Sequence, residues 1–231
     1  MTVIRIIDFE TTGTEPPDAE VCEVGLCDLH IEERHIAAPH AWLCRVKAMP
    51  PEVRAVHHIS LAECQEWDAF DAAAMFQTPC AAVAAHNSGF ETKFFTPTAP
   101  VICTYKAALR VWPHAPSHSN GALRYWLEDQ GKIGPVHAMT QPTHRAGPDA
   151  YVTAHLLLAL LDAGATGRDM VAWTKEPPVL PTCPIGQYRG KPWSEVEAGF
   201  LGWMLRQPTM DPDLQWNARR EITRRSQGVA L

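Results

Sequence analysis

The sequence predicts an α/β fold: one mixed sheet with helices on its faces. Three observations lead there. Residues 3–8, VIRIID, form a run that is apolar on both faces, as in a strand buried in the middle of a sheet. The turn-rich TGTEPPD joins that run to a second strand-like one, which suits a meander. Beyond residue 60, strand-like runs alternate with helical patterns, so the order is three strands, helix, strand, helix, strand, helices.

The elements follow in turn. EVCEVGLCDL (20–29) reads as the second strand and AWLCRV (41–46) as the third. PPEVRAVHHIS is a loop or short helical stretch. Residues 61–77 read as a helix whose buried side takes Leu61, Cys64, Phe70, Ala73 and Met75 or Phe76. AAVAAH (81–86) is a short strand. SGFETKFF follows as a helix capped by Asn87 or Ser88, with Phe90, Phe94 and Phe95 facing the core. PVICTYKAALRVW passes from strand to helix, and NGALRYWLEDQG is a helix ended by Gly131. Residues 132–147 are loop. Pro148 opens a helix to about Ala163, where its missing N–H had no intrahelical partner. Val152, Leu156 and Leu160 form that helix's apolar stripe. KEPPVLPTCP (175–184) holds four prolines and reads as a linker to a small separate element with a helical second half.

A chain of 231 residues can bury one sizeable core and a small extra module. Its net charge of -6 argues against a protein that holds nucleic acid by bulk charge alone, but an acid cluster that binds cations lowers the formal count where a substrate would sit. The seven cysteines are odd in number, form no C-x-x-C and sit mostly among apolar residues, as buried thiols do in a reducing compartment. No secretion signal is seen, and HLLLALL is too short to span a bilayer. The expected location is cytoplasmic, with no membrane partner.

Three clusters carry the chemistry: Asp8-x-Glu10-Thr11-Thr12-Gly13 at the end of strand one, His86-Asn87-x-x-Phe90-Glu91 between a strand and a helix, and His144-x-x-x-x-Asp149 where a loop enters the last long helix. Residues i and i+2 of a strand share a face, so Asp8 and Glu10 would stand side by side and repel unless a cation lay between them. Taken singly, each cluster has a plain reading: a solvated strand end, a helix cap, a chance spacing. Together, in this order and at these element boundaries, they suit phosphodiester hydrolysis. Two divalent ions roughly 3.5–4 Å apart can stabilise the charge on both the attacking and leaving oxygens. Hard ions want carboxylate oxygens, and a histidine with a reference pKa near ~6.5 can accept the water proton.

The pattern resembles the DEDDh group of 3'-5' exonucleases, over about residues 3–163. VHHIS (56–60), ICTYKAALRVWP (102–113), HSNGALRYWL (118–127) and the tail IGQYRGKPWSEV with FLGWML resemble the exodeoxyribonuclease X branch of that group. The resemblance implies a ribonuclease H-like mixed five-stranded sheet with helices on both faces, plus a small C-terminal element. It divides the chain into an exonuclease domain (1–165), a helix and Pro-rich linker (166–184) and the C-terminal element (185–231). It implies that Asp8, Glu10, Glu91 and Asp149 bind two ions, Mg2+ or Mn2+, and that His144 is the general base. Thr11, Thr12 and Gly13 would grip the terminal nucleotide, Phe90 would floor it, and His57, His86 and Asn87 would line its pocket. The implied activity is release of nucleoside 5'-monophosphates from single-stranded or frayed DNA 3' ends, with RNA and a second copy of the chain as further partners. One departure stands out: the group usually carries aspartate where this chain has Glu91. The extra methylene lengthens the reach by ~1.5 Å, which leaves three outcomes open: a slower site, a preference for a larger ion such as Mn2+, or a site readjusted around the longer side chain. The competing readings are an exoribonuclease and a catalytically impaired binding module, the latter resting on Glu91 alone.

Aromatic and basic residues interleave over 105–126 and again from Tyr188 to Arg206. Such surfaces hold single strands without reading sequence. Trp112, Trp126 and Trp203 are expected to pack between elements instead. For Arg189 and Lys191, phosphate contact and plain solvation are both open. The basic NARREITRRSQG is read as a solvated helix or a frayed terminus that could attract DNA.

Overall fold

The computed structural model describes residues 2–135 and 139–228. The loop read over 132–147 therefore includes 136–138, which lie outside the described residues, as do 229–231 of the C-terminal element. Six strands are described: β1 (Val3–Thr11), β2 (Val21–His30), β3 (His35–Ile36), β4 (His40–Leu43), β5 (Ala82–Ala85) and β6 (Val101–Cys103). They occupy five positions. The order is β3-β2-β1-β5-β6, and β4 pairs with β2 as well. β3 and β4 lie end to end along one edge of β2, with Pro39 between them. β1 and β2 run antiparallel, while β1, β5 and β6 run parallel. The sheet is thus mixed, as expected, and ribonuclease H-like in plan.

Strand alternation sorts the core. Ile4, Ile6, Cys27, Leu29, Ala82, Ala84 and Ile102 face one side, against helices α3 (Thr104–Val111), α4 (Asn120–Asp129), α5 (Ala146–Asp162) and α6 (Gly167–Thr174). Ile7, Phe9, Val24, Val83 and Ala85 face the other, against Met75, Phe94 and Phe95. Asp8 and Glu10 follow Ile4 and Ile6 in the period of two, so β1 delivers both acids to the face that α5 covers. α5 is buried along most of its length. Leu156, Leu157 and Leu160 are almost fully inaccessible, each worth about 1.5–3 kcal/mol of transfer free energy. Among the described residues no single helix is long and apolar enough to cross a membrane.

Several local expectations are corrected. The helix read over 61–77 is a single turn, α2 (Leu61–Cys64), started by a Ser60–Glu63 capping box. It stops because the chain extends to pair with the residues after β4: Arg45 N–H donates to the Asp68 carbonyl, and Arg45 bridges Ala69 in parallel. A 3-10 turn, Ala72–Phe76, then starts from the Asp71 carboxylate. The helix read over SGFETKFF is a turn followed by a 3-10 turn, Glu91–Lys93, with no side-chain cap. Asn87 there adopts a left-handed φ of 69° and turns the chain instead of capping it. α5 begins two residues before Pro148, which occupies the third helical position; its N–H would lack a partner there too. α1 (Pro51–His57) fills part of the stretch read as loop or helix.

β6 is closed off at its outer side: Cys103 N–H donates to Thr174 Oγ1 of α6 at 2.7 Å. Arg5, buried in β1, donates to both Asp28 oxygens and to the carbonyls of Met75 and Thr78, pinning the 72–78 turn to the sheet. Residues from Leu180 onward form a separate apolar cluster with α7 (Ala198–Arg206) and α8 (Pro212–Ser226).

The first turn of α5 crosses β2 at Gly25. A Cβ there would lie 2.0 Å from the Ala146 carbonyl oxygen and 2.5 Å from Gly147 N. Both obstacles are backbone and cannot rotate away. Gly25→Ala is therefore expected to lower stability by about 3 kcal/mol, the upper end for overpacking, read as a fall in the urea midpoint. An unchanged midpoint would mean that α5 does not sit this close to the sheet.

Candidate active site

The site lies where β1 ends, under the N-terminus of α5. One carboxylate oxygen from each of Asp8, Glu10 and Asp149 lies within 4.8 Å of the others. Residues from both ends of the chain segment thus converge, as the three clusters required. Glu91 sits beside Asp8: it is only 3% exposed, and its Oε2 is buried without a hydrogen-bond partner. Its charge is the largest electrostatic influence raising the Asp8 pKa, after burial. Lys93 ties this turn to the loop after β1 by donating to Glu15 Oε1 and the Thr14 carbonyl.

All four acids are held in their neutral direction. Burial pushes Asp8 well up, with Glu91, Asp149, Glu10 and Glu23 adding to the rise. Burial and then Asp149 and Glu23 push Glu10 up to about 8, against the opposing charge of Arg145. Burial raises Glu91 and Asp149 as well; the His144 N–H, 3.0 Å from Asp149 Oδ2, partly offsets the latter. An unpartnered buried carboxylate oxygen that raises the pKa of Asp8 is costly unless something positive joins it. The donor set is all oxygen, which fits hard divalent cations.

His144 is exposed at a left-handed φ of 58°, five residues before Asp149 and held to it through its own backbone. The turn that follows β1 uses its own hydroxyls: Thr11 Oγ1 donates to the Gly13 carbonyl, and Thr12 Oγ1 accepts from Glu20 N–H. These side chains shape the loop, so any grip on a nucleotide falls to its backbone. Phe90 is half-buried, edge-on to Phe94. Asn87 is exposed.

Two histidines have ring nitrogens engaged within the protein. His86 has both ring nitrogens committed, to Thr104 Oγ1 at 3.0 Å and to the His118 carbonyl at 2.8 Å. Burial lowers it to about 4, so it is a neutral brace between β5, α3 and the loop before α4. His57 is buried under the loop, where its Nδ1 accepts from Ile59 N–H and its Nε2 faces Cys22 Sγ. Its ring is 2% exposed and lies against the Thr11 backbone.

Three residues that position the site were not singled out in the sequence. Glu23, opposite Glu10 on β2, is buried and accepts from Arg145 Nε and from Ala146 N–H. This clamp and Gly25 together seat the first turn of α5. Asn120 donates to the Asp149 carbonyl and to Thr153 Oγ1, tying α4 to the same turn. A buried-strand glutamate in VCEVG and the arginine next to His144 were the available signals; their pairing depends on a register no local pattern encodes.

This fold and this acid cluster define a nuclease. The sequence matches the exonuclease family over residues 6–157, more than half of the chain, and the chain belongs to that family. It is 30% identical to exodeoxyribonuclease 10 of Escherichia coli K12 over 225 residues, covering 92% of this chain and 96% of that protein. Exonuclease X in complex with 5' overhanging duplex DNA is similar in structure, with a TM-score of 0.63 and 28% identity over 74% of this chain and 99% of that one. E. coli exonuclease I in complex with a dA16 oligonucleotide shares the fold at a TM-score of 0.55 and 15% identity, over 75% of this chain and 43% of that one. Membership implies dependence on divalent metal, which the acid cluster fits.

The raised carboxyl groups make this fit measurable. Glu10 titrates near 4.5 when free and near 8 in the metal-free fold. Between those values the folded state binds more protons than the unfolded one, so stability falls as pH rises. In EDTA the melting temperature is expected to be higher at pH 6 than at pH 8. Added Mg2+ or Mn2+ should raise it more at pH 8, by several degrees, and Glu10→Gln should shrink the difference. A metal-induced rise that is equal at both pH values would contradict the buried-acid account.

Proposed function

We propose that the chain is a metal-dependent 3'-5' exonuclease that acts on DNA and releases nucleoside 5'-monophosphates from single-stranded or frayed 3' ends. The convergence of the Asp8, Glu10 and Asp149 carboxylates within 4.8 Å is the observation that carries the reading. Likeness to exodeoxyribonuclease 10 over nearly the whole of both chains supports DNA as the substrate.

Asp8, Glu10, Asp149 and Glu91 hold two divalent ions. When bound, these supply Lewis-acid stabilisation of charge at the phosphate and lower the pKa of water. The chain's residues do the rest. The His144 imidazole, exposed beside Asp149, accepts the proton of the attacking water through a ring nitrogen. The backbone of Thr11, Thr12 and Gly13, braced by His57 and by Lys93–Glu15, orients the terminal nucleotide, with Phe90 against it. The Glu23–Arg145 clamp keeps Asp149 in register with the β1 acids, since a misplacement of ~1 Å costs on the order of 100-fold in rate. Glu91 reaches further than an aspartate would and favours Mn2+ over Mg2+.

A 5'-labelled single-stranded oligodeoxynucleotide with added Mn2+ or Mg2+ tests this directly. A ladder shortening from the 3' end is expected, abolished by Asp8→Ala and slowed about 10²–10⁴-fold by His144→Ala. An RNA oligomer of the same base order should be cut more slowly. Glu91→Asp should raise the Mg2+-supported rate relative to the Mn2+-supported one. Absence of shortening with either ion, from folded protein, would refute the reading.

A further inference from the structure

The C-terminal element has its own core, built from Cys183, Tyr188, Trp193, Val196, Leu201, Met204 and Ala218. It is not used by the chemistry described above. Contrary to the packing role read from the sequence, Trp203 is 41% exposed, whereas Trp112 is buried and stacked edge-on with the half-buried Trp126. Trp203 ends a continuous row. The Lys191 ammonium lies 5.8 Å from the Tyr188 ring, Tyr188 is 4.9 Å from Phe200, and Phe200 is 5.1 Å from Trp203 at 32°. One turn beyond Trp203, Arg206 folds back over Gly202. The row is therefore aromatic along its length and cationic at both ends.

Its cations are available. Arg189, Lys191 and Arg206 are exposed, and among the described residues none of them forms an ion pair. Arg224 and Arg225, by contrast, are engaged by buried Glu221. Of the two readings of the basic terminus, helix and frayed end, the helix holds: it is α8, and two of its arginines are structural. Residues 185–231 carry seven Lys and Arg against five Asp and Glu, while the preceding chain carries thirteen against twenty-one. The C-terminal element, unlike the preceding chain taken as a whole, has a positive balance, and it carries the aromatic row that ends at exposed Trp203. On α7 Gly199, one turn before Trp203, leaves the helix surface beside it uncrowded, and Trp203 itself is 41% exposed. A rim of unpaired cations around stacked rings suits a chain of planar bases joined by phosphates.

The element also abuts the catalytic part. A cleft of about 520 Å³ separates Leu180, Asp213 and Leu214 from His86, Asn87 and Tyr105, the first two of which lie just before the Glu91 turn.

We propose that the C-terminal element is a second binding surface for single-stranded nucleic acid, on which Trp203 stacks against a base while Arg189, Lys191 and Arg206 meet phosphates. The inference rests on the exonuclease reading for the identity of the strand, which would be the substrate held away from its 3' terminus. One consequence is that affinity depends on length: a dinucleotide reaches only the acid cluster, whereas a longer strand engages both surfaces.

The test uses the full chain with and without metal. In EDTA, where nothing is cut, fluorescence anisotropy measures the affinity of a labelled oligodeoxynucleotide of about 16 nucleotides. Trp203→Ala is expected to weaken it about 10-fold. Arg189→Glu with Lys191→Glu should weaken it similarly and flatten its salt dependence, by about 0.7 in log–log slope per lost contact. With Mn2+, the hydrolysis of a dinucleotide should stay within about 2-fold of the parent. Melting curves matching the parent confirm that the variants fold, and both substitutions are at exposed positions. Unchanged oligonucleotide affinity in both variants overturns the proposal, as does a parallel loss of dinucleotide hydrolysis. If the variants instead lose self-association in light scattering with affinity intact, the surface binds a second copy and the proposal fails. Because binding is read without turnover, an inactive parent that still binds would refute the exonuclease reading and leave this one standing.

Discussion

The seat of α5 on β2 is the contact on which the rest depends. Gly25 lets the helix backbone approach to a distance no side chain would allow, and the Glu23–Arg145 pair locks it there. Neither half suffices. Without the glycine the helix would stand off; without the clamp, buried Glu23 would add an uncompensated charge to a region already crowded with acid. Held this way, the fourth residue of α5 is carried over the last two even-numbered positions of β1. The acid cluster is thus a product of helix–sheet packing, and no loop needs to be precise for the three carboxylates to meet.

That cluster works against the fold that makes it. Four acids at the edge of a core, each pushed toward its neutral form by burial and three of them by neighbouring carboxylates as well, store unfavourable electrostatics which a bound cation relieves. The surrounding structure supplies the compensation. Arg145 lies close enough to favour the charged form of Glu10, the Asp149 carboxylate accepts a backbone N–H, and the Arg5 network and the twin apolar layers fix the strand that carries Asp8. Such tension between stability and function is expected of sites that bind metal.

Much of this was legible in the sequence because it follows from short-range periodicity. The period-two pattern of β1 put Asp8 and Glu10 on one face, and the stripe of Leu156 and Leu160 marked the long helix that brings Asp149. The sheet's five positions were readable from apolar runs, though the strand read over 41–46 is β4, ending at Leu43, and the two-residue β3 before Pro39 was not read. What escaped depends on pairing across distance. The helix read over 61–77 gives way to an extended stretch because residue 45 offers a backbone partner there. Glu23 and Arg145 look ordinary until register sets one opposite Glu10 and the other beside it. His57 looked like a pocket residue because histidines near acids often are, yet it is buried with Nδ1 accepting from Ile59 N–H; His86 lines a cleft, but both its ring nitrogens are taken up by neighbouring groups. Trp203 looked like core because tryptophan usually is.

The two margins of the sheet carry a last consequence. One is cut into short pieces at Pro39, and the other, β6, is three residues long with its outward amide spoken for by Thr174. Neither offers the long free ladder onto which a foreign strand can zip. Recruitment of this molecule by peptides or by copies of itself through added β-structure is therefore denied by its backbone, and any assembly must be negotiated through helices, loops and side chains.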